Sequence, residues 1–123
     1  VARTLGLRRQ FDAALRELTR RANAFIPSVR DLNSGMFARI GGEEFVMLMP
    51  GIDRRRAAAI AELFRAEVER LPFSSPKVTF PVTTSIGVTT LLPNDRSFDA
   101  LMARADQALY RAKAAGRNQV VSL

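Results

Sequence analysis

The sequence predicts a mixed α/β (α+β) fold, a mixed β-sheet flanked by helices, in a single domain over residues 1–123. Three observations support this class: apolar residues recur with helical spacing in three segments, β-branched and apolar runs lie between them, and Gly, Pro, Asn or Asp separates successive elements. The predicted order is helix, two strands, helix, one or two strands, helix, strand. At 123 residues the chain is long enough for one core and too short for a second independent domain.

The first helix is predicted around residues 11–25. One face repeats apolar residues at intervals of three and four, and the other face carries arginines. We expect Pro27 to interrupt the helix and residues 30–35, rich in turn formers, to make a loop. The apolar positions are Phe11, Leu15, Leu18, Ala22 and Phe25, and the arginines are Arg16, Arg20 and Arg21.

Two strands are predicted on either side of a Gly-Gly dipeptide, at residues 36–40 and 44–49. Gly41 and Gly42 predict a hairpin with a two-residue turn, in which glycine supplies the positive φ values that such a turn demands. The second strand is apolar from Phe45 to Met49, so we expect it to be central and covered on both faces.

The second helix is predicted from an N-cap at Asp53 to about Arg70. Its apolar stripe is Ile60, Leu63, Phe64 and Val68. Three arginines at residues 54–56 lie where the helix dipole is positive, which favours either solvated side chains or an anion between them.

The C-terminal third of the chain predicts strands, a helix and a last strand. Strands are expected at 78–80 and 82–90 after a loop at 74–76, with Pro81 as a break and Gly87 at a point where a neighbour or ligand comes close. Ser97 is the predicted N-cap of the last helix, Gly116 its C′ residue, and 119–121 the last strand. The helix has a predicted buried stripe of Phe98, Leu101, Ala105, Ala108, Leu109 and Ala112.

Composition restricts the chemistry. The chain has no Cys and no His, so a metal must bind carboxylate and carbonyl oxygens, which favours Mg²⁺, Mn²⁺ or Ca²⁺. Apolar runs fall far short of the ~18 residues that span a bilayer, so we expect a soluble, cytoplasmic segment without membrane contact. A net charge of +7 suits anionic partners, but one Tyr and no Trp argue against a nucleic-acid partner.

Three segments together resemble the GGDEF family, the domains of diguanylate cyclases. The first is GGEEF at residues 41–45, the variant of the signature with Glu at its third position, and the second is TSIGV at residues 84–88. The third is ADQALYRAKAAGRN at residues 105–118, the most specific because fourteen positions match in order and spacing.

The resemblance implies a nucleotidyl-cyclase-like palm architecture and an activity in bacterial second-messenger signalling. Members join two GTP molecules into cyclic di-GMP in a transient homodimer, with Mg²⁺ or Mn²⁺ as cofactor. It implies that Glu43 is the metal ligand and a catalytic residue, with Glu44 the second catalytic carboxylate. Sensor or other domains could lie outside the chain.

The phosphate contacts of the substrate GTP are expected from Gly41, Gly42, Lys113 and Arg117. The glycine N–H groups can approach phosphate closely, and the two cations, four residues apart, should share one face of the last helix. Many family members also have an inhibitory product site, Arg-x-x-Asp, five residues before the Gly-Gly. Those positions here are Leu32 and Gly35, so the site is absent in register.

Upstream of residue 36 the resemblance weakens and allows two alignments. In the first, Ala2, Leu7 and Phe11 replace the family's base-reading Asn, its His and a later Asp, and the chain starts after the strand with the metal-binding Asp. In the second, residues 5–12 match the family's first helix and an internal segment is missing. We prefer the first because it needs no deletion.

The preferred alignment predicts a fold that is incomplete at its N-terminus, and both alignments predict a metal site without one carboxylate. We therefore expect weak or no turnover from this chain. The alternative is a catalytically degenerate module for nucleotide binding or dimerisation.

Overall fold

The computed structural model describes residues 8–32, 34–70 and 82–123. The mixed α/β class and the predicted element order are confirmed over these ranges. The predicted strand at 78–80, the loop at 74–76, Pro81 and the alignments of residues 1–7 lie outside the described residues. The elements are α1 (Arg8–Ser28), β1 (Met36–Gly41), β2 (Glu44–Leu48), α2 (Arg54–Arg70), β3 (Ile86–Val88), α3 (Phe98–Ala114) and β4 (Val120–Ser122).

These elements belong to two compact units. The first contains α1, β1 and β2, and the second contains most of α2 together with β3, α3 and β4. Antiparallel and parallel pairing both occur, but within the described ranges they lie in separate two-stranded sheets, β1–β2 and β3–β4. A single domain over residues 1–123 stays a prediction.

The core of the first unit comes from the apolar face of α1, which packs on β1. Leu15 and Ala22 are buried as predicted, whereas Leu18 and Phe25 are half-buried. Pro27 does not interrupt the helix but lies inside its last turn. The proline removes one backbone donor from that turn, and the Ser28 hydroxyl donates to the Phe25 carbonyl at 2.6 Å.

The β1–β2 hairpin is less buried than its sequence predicts. Phe45 and its two neighbours toward Leu48 are half-buried, and within the described ranges β2 pairs with β1 alone. The expectation of a strand covered on both faces is therefore wrong for these residues. Its apolar contacts include the rings of Phe37 and Phe45, which stack with centroids 5.0 Å apart.

In the second unit, α3 packs directly on the parallel pair β3–β4. Gly87 lies in the middle of β3, and a Cβ atom built there would be 2.3 Å from the Leu109 nitrogen and 2.4 Å from the Ala105 carbonyl oxygen. The predicted close neighbour of Gly87 is thus the backbone of α3. Ala108 and Ala112 are fully buried, while Phe98, predicted in the same stripe, is 56% exposed.

α2 starts where the sequence predicts, because the Asp53 carboxylate accepts from the Arg56 N–H at 2.8 Å. Its buried face is Ala57, Ile60, Ala61, Phe64 and Val68. Leu63 belongs to the predicted stripe but is 56% exposed, since it lies about 110° around the helix from the centre of the buried face.

Arg104 ties α3 to the segment that follows β3. Its guanidinium donates to the Thr89 hydroxyl at 2.7 Å, to the Thr90 carbonyl at 2.8 Å and to the Asp95 carboxylate at 2.6 and 3.0 Å. Asp95 also accepts from the Leu92 N–H at 2.8 Å, so one ion pair closes the turn before α3.

Candidate functional site

The turn at the acidic hairpin tip lies one residue later in the chain than the sequence predicts. Gly41 pairs with Glu44, so the two-residue connection is Gly42-Glu43 and not Gly41-Gly42. A register shift after Arg39 leaves Ile40 as an extra residue in β1.

Neither glycine of the tip has positive φ, so that expectation is wrong. With Glu43 in the second turn position, a turn that needs positive φ at both positions would strain a residue with a side chain. The tip is held by Arg39, whose Nε donates to the Gly42 carbonyl at 3.0 Å. Sequence reasoning missed this role of Arg39, and its place just before the signature is the one signal that could have found it.

Both carboxylates of the tip are exposed, as are both glycines. A Cβ atom placed on Gly41 or Gly42 would meet nothing within 4 Å, so an anion has room to approach the backbone. Oxygen ligands of this kind suit a hard divalent cation, and Glu43 and Glu44 fit Mg²⁺ by donor chemistry. Over residues 8–32, 34–70 and 82–123 no three acidic side chains are grouped as a metal site requires.

The two predicted phosphate-binding cations lie in the second unit, near the end of α3. The helix ends at Ala114, and the Gly116 N–H donates to the Lys113 carbonyl at 3.3 Å while the Arg117 N–H donates to the Ala112 carbonyl at 3.0 Å. This pair of bonds is a Schellman motif, with Gly116 at C′ as predicted. Arg117 therefore lies beyond the helix, and the prediction that the two cations share one helical face is wrong.

Arg117 and Asn118 both have left-handed backbone conformations, with φ of 62° and 48°. For residues with a side chain this costs ~1–2 kcal/mol each, less for Asn, so the segment needs other contacts to hold it. Those contacts come from Asn118. Its N–H donates to the Ser85 hydroxyl at 3.0 Å, and its side-chain carbonyl accepts from Arg65 at 2.8 Å.

The Asn118 amide nitrogen also donates to Glu69, near the end of α2. This bond, followed by one from Arg65 at 3.3 Å, lowers the pKa of Glu69. Arg65 is itself held by Glu62, with Nε 2.9 Å from both carboxylate oxygens. Sequence reasoning placed Asn118 in a family motif but gave it no role, and it missed Arg65, since nothing local links residues so far apart in the chain.

The positions of the inhibitory site carry no charged side chain in register. Leu32 is buried, and a Cβ atom on Gly35 would meet the Leu32 side chain at 2.9 Å. These two residues thus pack together as part of the first unit.

The described part of the chain has no helix with the length and apolar character to span a bilayer.

Comparison with known proteins agrees with a mixed α/β domain that carries an acidic Gly-Gly hairpin. A family model described as "Diguanylate cyclase, GGDEF domain" matches residues 4–119. The probable diguanylate cyclase DgcT of Escherichia coli K12 is 46% identical over 88 residues, which cover 70% of this chain and 20% of DgcT. The response regulator PleD of Caulobacter vibrioides is 44% identical over 85 residues, covering 68% of this chain and 19% of PleD.

Two solved structures also resemble this chain. The GGDEF domain of DgcB from Caulobacter crescentus, in complex with c-di-GMP, has a TM-score of 0.77 at 29% identity and covers 90% of this chain and 63% of that one. The active GGEEF domain of a diguanylate cyclase from Vibrio cholerae has a TM-score of 0.75 at 30% identity and covers 90% and 67%.

The chain therefore belongs to the GGDEF family of diguanylate cyclase domains. It spans about a fifth of the length of DgcT and PleD.

Proposed function

We propose that this chain is a diguanylate cyclase domain that condenses two GTP molecules into cyclic di-GMP. The observation that carries the proposal is the complete GGEEF hairpin, with both carboxylates exposed and open space at both glycines. Membership of a family whose relatives include diguanylate cyclases supports it.

In the proposed reaction each 3′-hydroxyl attacks the α-phosphate of the other GTP. A phosphorus–oxygen bond forms, the bond to the β-phosphate breaks, pyrophosphate leaves and the hydroxyl proton passes to solvent. Two such steps give one cyclic di-GMP and two pyrophosphates. The reaction requires two GTP molecules face to face, so a homodimer with one GTP per subunit is part of the proposal.

Glu43 and Glu44 are the proposed catalytic carboxylates, and Glu43 is the proposed ligand of Mg²⁺ or Mn²⁺. A divalent cation bound there would neutralise charge that develops on the phosphate oxygens. Arg39 stabilises the Gly42-Glu43 turn by donating to the Gly42 carbonyl, and so fixes the position of the Glu43 backbone.

Binding of the substrate phosphates is proposed for the N–H groups of Gly41 and Gly42 and for Lys113 and Arg117. The exposed Arg117 side chain has no hydrogen bond or ion pair to any described residue, so its guanidinium is free to bind an anion. Guanidinium groups bind phosphate oxygens in pairs, which suits a polyphosphate.

The test combines GTP binding with product formation. The chain is titrated with GTP and Mg²⁺ in a calorimeter and then incubated with both, and cyclic di-GMP is measured by chromatography. We expect GTP binding that Glu43→Gln weakens, with weak or no turnover because no described residue joins Glu43 and Glu44 in an acidic group of the kind that a metal site requires. Asp12→Asn, an exposed carboxylate on α1, is the matched control and should bind as the unaltered chain does.

Two outcomes would change the proposal. Robust cyclic di-GMP from this chain would contradict the incomplete metal site and strengthen the cyclase function. Absence of both product and GTP binding would overturn the cyclase function in favour of a regulatory module.

A further inference from the structure

We propose that Asn118, held by Arg65 and Glu69 of α2, is a positioning residue for Arg117. The inference rests on the proposed phosphate-binding role of Arg117 and deepens it. Under this inference, Arg117 is oriented toward the substrate by polar side chains of α2, although α3 is the helix that precedes it in the chain.

The first step of the argument is the backbone of Arg117. Its N–H is bonded to the Ala112 carbonyl at 3.0 Å, and its carbonyl accepts from the Gln119 side chain at 3.1 Å. With φ at 62° the residue has left the helix, so the helical geometry of α3 no longer sets the direction of its side chain, and its N–H remains tied to the last turn of α3.

The second step is the anchor. Every hydrogen-bonding group of the Asn118 side chain has a bond to α2: its oxygen accepts from Arg65 Nη1 at 2.8 Å, and its nitrogen donates to Glu69. The Asn118 N–H is bonded to the Ser85 hydroxyl at 3.0 Å. Asn118 is thus bonded both to α2 and to Ser85, and these bonds hold the backbone next to Arg117 in place.

The third step is the rigidity of the anchor itself. The Arg65 side chain is 14% exposed and bonds Glu62 one helical turn before it and Glu69 one turn after it. A guanidinium held on three sides has one geometry, so Arg65 can orient the Asn118 amide.

The final step is the contrast with Arg117. The network leaves the Arg117 guanidinium exposed and without a partner among the described residues. The backbone of Arg117 and the side chains of Asn118 and Arg65 are, by contrast, hydrogen-bonded. A fixed backbone that carries an unpaired cation is an arrangement that binds an external anion with little ordering cost.

The experiment measures GTP affinity in the presence of Mg²⁺ by calorimetry and amide hydrogen exchange of the free chain by NMR. The variants are Arg117→Ala, Asn118→Gly and the two combined. Glycine accepts a left-handed backbone, so Asn118→Gly removes the side-chain bonds without new strain. Glu67→Gln, on the same helix but outside the network, is the control.

We expect Arg117→Ala to weaken GTP binding by about tenfold or more and Asn118→Gly by about three- to tenfold. The double variant should bind no more weakly than Arg117→Ala, because Asn118 acts through Arg117. Additive losses would overturn the inference, since a general structural role would weaken binding with or without Arg117.

Hydrogen exchange separates this inference from the proposed function. In Asn118→Gly the amides of residues 117 and 118 should exchange at least about tenfold faster, while Glu67→Gln leaves them unchanged. If exchange does not change, Asn118 is not the anchor and the inference fails. If exchange rises but Arg117→Ala binds GTP normally, the anchor stands and the phosphate role of Arg117 fails.

A rescue test completes the design. Asn118→Asp loses the donor to Glu69 and places two carboxylates together, so binding and protection should both fall. Adding Glu69→Gln supplies a donor to the introduced carboxylate with the polarity of the bond reversed, and recovery of GTP affinity is expected. Failure of the pair to recover either measurement would contradict the bond between residues 69 and 118 as the positioning contact.

Discussion

Replacing Gly87 with alanine should destabilise the second unit strongly. The added Cβ atom would be 2.3 Å from the Leu109 nitrogen, 2.4 Å from the Ala105 carbonyl oxygen and 2.9 Å from the Ala108 carbonyl carbon. All three atoms belong to the backbone of α3, so no side chain can rotate away. Since non-bonded carbon contacts prefer roughly 3.5–4.0 Å, α3 would have to move by about 1 Å or more.

Such a movement would separate α3 from β3 and β4, whose packing buries Ala108 and Ala112 completely. Overpacking of a core costs typically ~1–3 kcal/mol and occasionally more, and a clash with fixed backbone belongs at the upper end. We therefore expect a loss of about 3 kcal/mol in the free energy of unfolding. With a urea dependence of ~1–3 kcal/mol per molar, the midpoint should fall by about 1–3 M.

Urea unfolding followed by circular dichroism measures the effect, and Gly42→Ala is the matched control. A Cβ atom on Gly42 would meet nothing within 4 Å, and its φ is not left-handed, so the control should stay within about 0.5 kcal/mol of the unaltered chain. Equal midpoints for Gly87→Ala and Gly42→Ala would refute the close approach of α3 to β3.

Three further predictions concern the ion pair, the core and the helix cap of the second unit. The Arg104 guanidinium, with the Leu92 N–H, lowers the pKa of Asp95 from 3.8 to about 2. The stabilisation that the ionised Asp95 contributes is therefore present above pH 3.8 and is lost as the pH falls toward 2. NMR titration of Asp95 should give a midpoint of about 2, and Arg104→Met should raise this midpoint. Phe64→Ala should cost about 3–5 kcal/mol in urea unfolding, whereas Leu63→Ala should stay within about 0.5 kcal/mol. Asp53→Ala should cost about 1 kcal/mol in the same assay, because the Arg56 N–H loses its acceptor.

Each of these predictions has a result that contradicts it. An Asp95 midpoint at its ordinary value of 3.8 would exclude the ion pair with Arg104. Equal losses for Phe64→Ala and Leu63→Ala would mean that the buried face of α2 is assigned wrongly. Asp53→Asn keeps a good capping residue, so it should match the unaltered chain, and a loss equal to that of Asp53→Ala would contradict the cap.

Local signals in the sequence determined much of this protein. Helical spacing and the caps Asp53 and Ser97 correctly predicted where α2 and α3 begin, because a capping side chain acts within three residues. Gly116 marked the end of α3 for the same reason, since its positive φ is a local requirement. The family motifs, which are also local strings, were enough to identify the family.

Predictions that depended on packing were less successful. Leu63 and Phe98 fit an apolar stripe as well as their neighbours do, yet both are exposed, because the direction of the core is set by elements distant in sequence. In the hairpin, the extra residue Ile40 moves the turn by one residue, to Gly42-Glu43. The Gly-Gly pair was the turn signal in the sequence, and it did not distinguish between these two positions.

The tertiary structure alone decided which distant residues hold the segment after α3. The local Schellman motif ends the helix at Ala114, so Arg117 does not share a helical face with Lys113 as the spacing predicted. Asn118 then meets Arg65, 53 residues away in the chain. A hydrogen bond between such distant residues exists only when the intervening elements have folded, so no local pattern encodes it, whereas a cap or a turn is complete within one stretch of chain.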